Sequence, residues 1–454
     1  MTTHTAPHRD LAAAVRGAVH VPGEPGYDDE RHGFQLALAH RPTAVVGALD
    51  AEDVRAAVAY ASAHGLGVAV QATGHGLSVA AGADALLIST RCLDSVRVDP
   101  VARTAWVGAG VRWQRVLDAA AEHGLAPLSG SSPHVGVVSY TLGGGLGPLA
   151  RRYGYAADRI REAELVTADG TLRRVSAETE PELCWALRGG GGNVGVVTGL
   201  EIGLVPVERL HGGGLVFDGA HAADVLTAYR VWTATVPDEL TSSVSMVPLP
   251  DVPGVPEPLR GKHIVSVRVA FLGPAIEGER LVAPLRAAAP VLSADLRELP
   301  FRDSASIYQD PVDPHAYLGD NAFVRDLDPA ALRSIVDLAG PGAPVPCVVD
   351  IRHLGGALTE RRDSAVGHRD AGFLVRVLSG LDGVGEAEVR AAHADLLTAL
   401  APVTLGRSLS FVYGSRADAR TGFDEAAHNR LAAVKAAHDP ANRFRFNQNV
   451  TPAV

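Results

Sequence analysis

Three glycine-rich segments, all within the first 207 residues, constrain the fold of this 454-residue chain more than any other feature. They are residues 71–78 (QATGHGLS), 130–154 (GSSPHVGVVSYTLGGGLGPLARRYG) and 185–207 (WALRGGGGNVGVVTGLEIGLVPV). Glycine is favoured where backbone N–H groups close around an anion, because no Cβ blocks the approach and positive φ is accessible. The second segment is too apolar for a solvent loop, so its buried backbone needs hydrogen-bond partners. A bound phosphate or flavin would supply them.

Taken one at a time, the three segments leave alternatives open. In the first, the apolar strand VAV leads into a tight turn that displays His75, and a simple β-turn with a solvated histidine is the alternative. The GGGLG run of the second does not match the G-x-G-x-x-G dinucleotide fingerprint, which lies between a strand and a helix. The four consecutive glycines of the third are also compatible with a hairpin connection.

Hydrophobic patterning predicts two domains and a C-terminal segment, since 454 residues exceed the usual size of one core. In residues 1–206, short β-like runs alternate with helical ones, which is typical of an α/β domain. Residues 96–110 and 161–177 carry turn residues at their centres and are predicted hairpins. In residues 207–405, strand-like runs between alanine-rich helices predict an antiparallel sheet backed by helices. Residues 406–454 carry a predicted strand, SLSFVYG, and a predicted helix, DEAAHNRLAAVKAAH.

Composition and charge exclude several classes of partner. The formal net charge of −10 and the pI near 6.0 argue against nucleic acid, whose binding needs clustered basic surface. Charged residues interrupt every apolar run of residues 1–21, and no stretch of about 18 apolar residues occurs anywhere. We therefore expect no signal peptide, no membrane span and a cytoplasmic protein. All basic residues except Lys262 and Lys435 are arginine, which is typical of a GC-rich bacterial genome.

The cysteines indicate neither a disulfide framework nor a metal centre. Cys92, Cys184 and Cys347 are odd in number and lie far apart in the sequence. Disulfide scaffolds and zinc sites instead show paired cysteines at short, regular spacings. We expect reduced thiols and no bound metal.

Together, these segments and the C-terminus resemble the FAD-linked oxidase family typified by berberine bridge enzyme and vanillyl-alcohol oxidase. Thr73-Gly74-His75 matches the family's Gly-Gly-His turn, with Gln71 where the family often has arginine. Residues 185–198 match W-A-L-R-G-G-G-G-N-x-G-V-V-T, and residues 439–449 match D-P-x-N-x-F-R-x-N-Q-N. The resemblance covers nearly the whole chain. It implies a two-domain α+β fold of the PCMH type, in which one domain binds FAD and a separate domain holds the substrate.

The resemblance further implies that FAD is attached covalently, through His75. Bicovalent members carry a second attachment residue, a cysteine in G-S-C-P-x-V-G, where this chain has Ser132. A serine hydroxyl supplies almost no nucleophilic anion at neutral pH, whereas thiolate chemistry is accessible. We therefore predict attachment through His75 alone. The attacking imidazole must be neutral, and burial beside an apolar ring would keep its pKa low enough.

Other positions around FAD are implied by the same motifs. The turn at 72–77 and the segment around 136–146 would cradle the diphosphate, residues 195–197 would lie along the adenosine or ribityl part, and Asn447 and Asn449 would lie near the flavin ring. The implied FAD-binding residues are His75, Gln71, Ala72, Thr73, Gly74, Gly76, Leu77, Ser132, Gly136, Ser139, Gly143, Gly144, Gly145, Leu146, Gly195, Val196, Val197, Asn447 and Asn449.

Oxidation of an alcohol or amine needs a base that takes the O–H or N–H proton as hydride leaves carbon. Family members often place this base in a Tyr-x-Asn sequence on the last strand of the substrate side. The matching triplet here is Phe411-Val412-Tyr413, so the phenol stands at the third position. Residues two apart share a strand face, which makes Tyr413 a candidate base. Ordinary packing of both aromatic rings is the alternative.

Further catalytic candidates come from one strand and from the second glycine-rich segment. The strand CVVDIRHLGG places Asp350 and Arg352 on one face and His353 on the other. The equivalent strand in relatives lines the substrate cavity, although a solvated ion pair is the alternative. Tyr140 is a candidate close to the flavin. Weaker candidates of the same kind are His134, Tyr317, His368 and Arg369.

The sequence therefore predicts a FAD-dependent oxidoreductase that transfers a hydride from a small organic molecule to the flavin. The substrate would present an alcohol, amine or sugar-like group, as a secondary metabolite does, and O2 would reoxidise the flavin in a monomer or homodimer. Two alternatives stay open. Another electron acceptor could replace O2, or the chain could bind flavin without turnover, since the usual tyrosine is displaced.

Overall fold

Three β-sheets organise the computed structural model, which describes residues 8–453. The strands of the first sheet are Ala18–His20 (β1), Ala44–Gly47 (β2), Gly67–Gln71 (β3) and Ala85–Ser89 (β4). In the order β1-β2-β4-β3, β4 runs parallel to both β2 and β3, and β1 is antiparallel to β2. Residues 1–7, on which part of the signal-peptide prediction depends, lie outside the described residues.

The second sheet is antiparallel throughout. Its strands are Val96–Asp99 (β5), Thr104–Gly108 (β6), Ile160–Val166 (β7), Leu172–Ser176 (β8) and Val196–Gly203 (β9). The order is β5-β6-β9-β7-β8, so that β9 lies at the centre. The pairing of β5 with β6 and of β7 with β8 confirms both predicted hairpins.

The third sheet has nine strands, all of which lie between residues 209 and 406. Its strands are Arg209–Asp218 (β10), Leu240–Pro248 (β11), His263–Phe271 (β12), Val291–Ala294 (β13), Arg297–Pro300 (β14), Tyr317–Val324 (β15), Val348–His353 (β16), Phe373–Gly380 (β17) and Thr404–Gly406 (β18). All pairs are antiparallel, in the order β13-β10-β12-β11-β16-β17-β15-β18, and β14 also pairs with β10. The predicted antiparallel sheet is therefore confirmed.

Thirteen α-helices lie in the described residues. They are Arg9–Ala14 (α1), Tyr27–Arg31 (α2), Ala51–Ala63 (α3), Trp113–Ala121 (α4), Val137–Leu142 (α5), Ala150–Tyr153 (α6), Pro181–Leu187 (α7), Ala222–Thr233 (α8), Ala275–Arg286 (α9), Ala305–Tyr308 (α10), Pro329–Ala339 (α11), Glu386–Ala399 (α12) and Glu425–His438 (α13). Asp50 caps α3 by accepting from two backbone N–H groups of the first helical turn. None of the helices between residues 8 and 453 is long and apolar enough to cross a membrane.

The nine-stranded sheet buries one face under helices and turns a polar face the other way. Strand β12 shows the alternation: Val265, Val267 and Val269 are at most 1% exposed and belong to the core shared with α8, α9, α11 and α12. The residues between them, Ser266 and Arg268, lie on the opposite face, because successive strand side chains alternate. We call that opposite side the polar face of the sheet.

The predicted strand SLSFVYG (408–414) is wrong. Residues 409–411 form a 3-10 turn, and the short strand β18 ends before them at Gly406. The side chain of Asn321 takes the place of a strand ladder there, since it accepts from the Ser408 N–H at 2.7 Å and donates to the Ser408 carbonyl at 2.9 Å. Only Tyr413 keeps a β-bridge, to Gly319.

Arg151 connects the glycine-rich part of the chain to the nine-stranded sheet. Its side chain is 6% exposed, and its Nε donates to the Leu240 carbonyl at 2.9 Å. Its Nη2 pairs with Asp238 at 3.0 Å, and its Nη1 contacts His353 Nε2 at 3.0 Å and the Leu354 carbonyl. One buried guanidinium therefore satisfies several groups across this interface.

We expect Arg151→Met to lower the free energy of unfolding by about 2–4 kcal/mol, because buried carbonyls lose their donor. Urea unfolding measures the effect. Arg152→Met is the matched control: its side chain is 52% exposed and lies 3.6 Å from Glu239, so we expect a change within about 0.5 kcal/mol. Equal losses in the two variants would contradict the assigned role of Arg151.

Candidate active site

A cavity of about 700 Å³ lies between the glycine-rich loops and the polar face of the nine-stranded sheet. We call it the central cavity. The predicted site residues that line it are His75, Gly76, Ser132, Ser139, Tyr140, Gly143, Gly144, Gly145, Leu146, Asp350, Arg352, Tyr413 and Asn447. The weaker candidate Tyr317 also lines it. Residues from widely separated parts of the sequence therefore meet around one space.

The remaining predicted FAD residues surround the cavity without lining it. Gln71 is buried at the end of β3, where its Nε2 donates to the Arg31 carbonyl at 3.0 Å. Gly195 packs against Leu165 and Val166 of β7, just before β9 begins. The predicted residues outside the lining are Gln71, Ala72, Thr73, Gly74, Leu77, Gly136, Gly195, Val196, Val197 and Asn449.

Three of the weaker catalytic candidates, together with His353, also lie outside the cavity lining. Arg369 pairs with the buried Asp158 at 2.7 Å, and the ring of His368 contacts the Thr421 carbonyl at 2.9 Å. The Nε2 atom of His353 contacts Arg151 Nη1 at 3.0 Å. These three side chains make structural contacts rather than contacts with the cavity. The candidates outside the lining are His134, His353, His368 and Arg369.

Contacts of its own loop hold His75 at the cavity. The N–H of Phe34 donates to the Thr73 carbonyl at 3.0 Å. Gly74 has a φ of +70°, and a Cβ there would lie 2.5 Å from the Cα of Gly33, so this turn requires glycine. The imidazole of His75 stacks on the Phe34 ring, with 3.8 Å between centroids and 11° between planes.

The imidazole of His75 is neutral at ordinary pH. Burial lowers its pKa from 6.5 to about 4, and Arg112, His134 and His315 act in the same direction. The hydroxyl of Tyr317 donates to the His75 carbonyl at 2.8 Å, which fixes the backbone on the other side. A neutral imidazole keeps one nitrogen lone pair free, as covalent attachment requires.

The backbone and side chains around the cavity fit a large anionic cofactor such as FAD. No N–H group of residues 75–78 or 130–136 donates to another described residue. Gly189 and Gly191, which also line the cavity, have φ of +106° and +69° and let the backbone turn sharply. Buried oxygens on the lining that lack a partner among residues 8–453 are Ser132 Oγ, Tyr140 Oη and Asn447 Oδ1. A diphosphate and a flavin would satisfy such groups.

Asp350 lies among three arginines on the polar face of the sheet and binds two of them directly. Its Oδ2 accepts from Arg352 Nε at 2.9 Å and Arg376 Nη1 at 3.0 Å, and its Oδ1 accepts from Ser245 Oγ at 3.0 Å. Arg268 Nη1 donates to Ser245 Oγ at 2.6 Å. Burial alone would raise the pKa of Asp350, but the three guanidinium groups hold it well below its usual range. Asp350 is therefore ionised. We call Arg268, Arg352 and Arg376 the arginine cluster.

Aromatic residues cover the arginine cluster. The guanidinium carbons of Arg376 and Arg352 lie 4.2 and 5.1 Å from the centre of the Phe411 ring. Tyr413 packs edge-on against Tyr317, with 5.3 Å between ring centroids. Burial raises the pKa of Tyr413, and the positive charges of Arg376 and Arg352 oppose that rise. A phenol at this position gains a cationic neighbour that stabilises its ionised form.

Tyr140 accounts for several glycines of the second glycine-rich segment. A Cβ on Gly130, Gly145 or Gly147 would lie 2.8, 2.5 or 3.1 Å from the Tyr140 side chain. The ring packs edge-on against Trp113, with centroids 5.4 Å apart. Burial raises the pKa of the Tyr140 hydroxyl, so this group is a hydrogen-bond donor at ordinary pH.

A buried ion pair fixes the C-terminal motif against the third glycine-rich segment. Lys435 and Asp439 have fully buried side chains 3.2 Å apart. Lys435 Nζ also donates to the carbonyls of Asn193 at 2.9 Å and Phe444 at 3.0 Å. Burial lowers the pKa of Lys435 to about 8, while Asp439 opposes that shift. The motif then continues to Asn447, which lines the central cavity.

Sequence reasoning missed several residues of the lining. Arg268 and Arg376 each stand as the only charge in a largely apolar run, VSVRVAF and FLVRVLS, which is a usable signal because buried charges are paired or functional. Tyr308 follows no motif. The third glycine-rich segment contributes its residues 189–193 rather than the predicted 195–197.

Comparisons with known proteins agree with this geometry. Residues 42–176 match the FAD binding domain family, and residues 423–451 match the berberine and berberine like family. (R)-6-hydroxynicotine oxidase of Paenarthrobacter nicotinovorans is 29% identical over 97% of each chain. The crystal structure of 6-hydroxy-D-nicotine oxidase from Arthrobacter nicotinovorans is 26% identical, with a TM-score of 0.82 over 97% of this chain and 98% of that one. Physcomitrella patens BBE-like 1 shares the fold at 20% identity, with a TM-score of 0.86 over 98% and 99%.

The fold and the site therefore define a FAD-dependent oxidoreductase. The two matched segments are those of FAD-linked oxidases of the berberine bridge type, which the chain resembles over 97% of its length. The predicted α+β fold with two domains and FAD as the cofactor are confirmed. The manner in which FAD is attached stays a prediction.

We expect Lys435→Met to lower the free energy of unfolding by about 3–5 kcal/mol, because Asp439 would remain buried without its cation. Lys262→Met, at the only other lysine of the chain, changes an exposed residue and is expected to cost at most about 0.5 kcal/mol. Urea unfolding of both variants provides the measurement. A small loss at Lys435 would mean that the ion pair does not hold the C-terminal motif.

Proposed function

We propose that this enzyme carries FAD on His75 as its single covalent tether and oxidises a small organic substrate, with O2 as the electron acceptor. Bound FAD supplies the redox chemistry by accepting a hydride from the substrate. The observation that carries the proposal is the neutral imidazole of His75 on the lining of a cavity with many free backbone donors. In this proposal residues 1–206 and 406–454 hold FAD, and residues 207–405 shape the substrate side.

The chemistry of the cavity lining supports a single attachment. Ser132 presents a hydroxyl where bicovalent relatives have a thiol, and an unactivated hydroxyl is a poor nucleophile at neutral pH. Cys92 is exposed, and Cys184 and Cys347 are buried away from the lining. His75 is then the attachment residue, and its orientation is fixed by the Phe34 stack before any bond forms.

Tyr413 is the proposed base. It lines the cavity beside Arg376, whose charge stabilises the phenolate that must accept the substrate proton. Asp350 is a weaker base, because its oxygens already accept from two guanidinium groups and a hydroxyl and its pKa is held low. We therefore assign Asp350 and Arg352 to substrate positioning, and Tyr140 to hydrogen-bond donation.

The relatives' names do not settle the substrate. The sequence relative is named for hydroxynicotine, whereas chitooligosaccharide oxidase and a xylooligosaccharide oxidase share the fold at 20% and 19% identity. One fold therefore serves oxidases named for different substrates, and specificity follows from the side chains of the site. We propose an alcohol, amine or sugar-like group on a small molecule as the oxidised part.

We expect His75→Ala to bind FAD without a covalent bond. Acid precipitation should leave flavin in the wild-type pellet and release all of it from the variant, because no second attachment residue is available. His134→Ala removes a neighbouring imidazole outside the cavity lining and should keep its flavin in the pellet. Flavin retained in the His75→Ala pellet, or released from the wild type, would refute the assignment.

We expect Tyr413→Phe to slow flavin reduction by about 10²–10⁴-fold, the usual contribution of a general base. The donor is whichever alcohol, amine or saccharide bleaches the wild-type flavin in a screen, and stopped-flow absorbance gives the rate. Because burial raises the pKa of Tyr413, the wild-type rate should increase with pH across the alkaline range. The variant should lose that dependence, and an unchanged pH profile would assign the base elsewhere.

A further inference from the structure

We propose that the substrate carries a carboxylate, which the arginine cluster binds. The inference rests on the proposed function, because it names the substrate class of the same cavity. Arg268, Arg352 and Arg376 come from three different strands and meet on the polar face that lines the central cavity.

The charges of the lining do not balance. Asp350 matches one guanidinium of the arginine cluster, and its bonds to two of them hold the group together. Arg407, also on the lining, is matched by Asp320 at 3.0 Å. Asp310, which is exposed and accepts from Ser131 at 2.5 Å, is the other acidic residue of the lining. The four arginines of the lining therefore face three carboxylates, those of Asp350, Asp320 and Asp310, so one positive charge stays unmatched among the described residues. A ligand with a single negative charge would balance it.

Several N–H groups of the arginine cluster also have no hydrogen-bond partner among residues 8–453. Arg376 Nε is buried and has no hydrogen-bond partner among residues 8–453. Arg268 makes one hydrogen bond to the described protein, through Nη1 to Ser245. A guanidinium presents five N–H groups in a planar fork that matches a carboxylate. The unused donors are therefore of the type that recognises this group.

Burial makes an unmatched cation costly unless a ligand compensates it. The side chains of Arg352 and Arg376 are 14% and 12% exposed, and the Phe411 ring covers both guanidinium groups. Surface arginines exchange hydrogen bonds with water freely, whereas these two have little access to it. An anionic substrate would relieve this cost. A cationic amine would be repelled by the positive charge of the arginine cluster.

The test uses holoenzyme titrated with benzoate, with neutral benzamide and with cationic benzylamine, at low ionic strength in a halide-free buffer. Perturbation of the flavin spectrum reports binding, and calorimetry reports it independently. We expect benzoate to bind at least about tenfold more tightly than benzamide, and benzylamine to bind most weakly. Arg268→Gln should remove the preference for benzoate, and Arg268→Lys, which keeps the charge, should restore most of it.

Each result has one interpretation. Equal affinity for benzoate and benzamide, or a preference unchanged in Arg268→Gln, would overturn the inference. So would a lower flavin midpoint potential in Arg268→Gln with benzoate binding unaffected, because the cluster would then serve the flavin. Flavin content of the acid-precipitated pellet tests the proposed function separately: a flavin-loaded pellet without anion preference refutes the carboxylate alone, and a flavin-free pellet refutes the tether alone.

Discussion

The alternation of side chains across the nine-stranded sheet determines where this protein can hold a substrate. An antiparallel sheet backed by helices on one side must place every second residue on the other side. Four helices cover the apolar face, so the intervening residues of β11, β12, β16 and β17 project toward the glycine-rich loops. Because those residues include Ser245, Asp350 and Arg376, that side encloses a polar cavity rather than a second apolar core.

Much of the fold follows from local sequence patterns, whereas the site depends on strand register. Valine-rich runs predict β12 and β17, but only the register places Arg376 directly opposite Asp350, and Arg268 one strand further from Asp350 beyond β11. No spacing in the sequence encodes that meeting. Tyr413 illustrates the converse: its predicted strand is absent, and yet a bridge to Gly319 brings it to the cavity. Tertiary contacts there override local β propensity.

The glycines show what sequence reasoning about a binding loop can and cannot separate. A glycine signals that no side chain fits at its position, but it does not identify the group that approaches. Gly145 makes room for Tyr140, Gly147 for the Ser129 carbonyl and Gly195 for β7, whereas Gly189 and Gly191 let the backbone turn sharply at the cavity lining. All five look alike in the sequence. Their different neighbours explain why the predicted residues 195–197 lie outside the cavity lining, whereas residues 189–193 form part of it.

Two groups of buried charges distinguish structural from functional electrostatics in this protein. Lys435 and Asp439 are fully enclosed and their charges balance. Lys435 Nζ donates to two fixed carbonyls and Asp439 accepts from two backbone N–H groups, so the pair has no capacity for a ligand. The group around Asp350 is open to a cavity, unequal in number and has donors without partners. Since unmatched buried charge destabilises a fold, an arrangement of the second kind implies a function that compensates for its cost. The first pair holds the C-terminal motif in place, and the second group is the one that we propose selects the substrate.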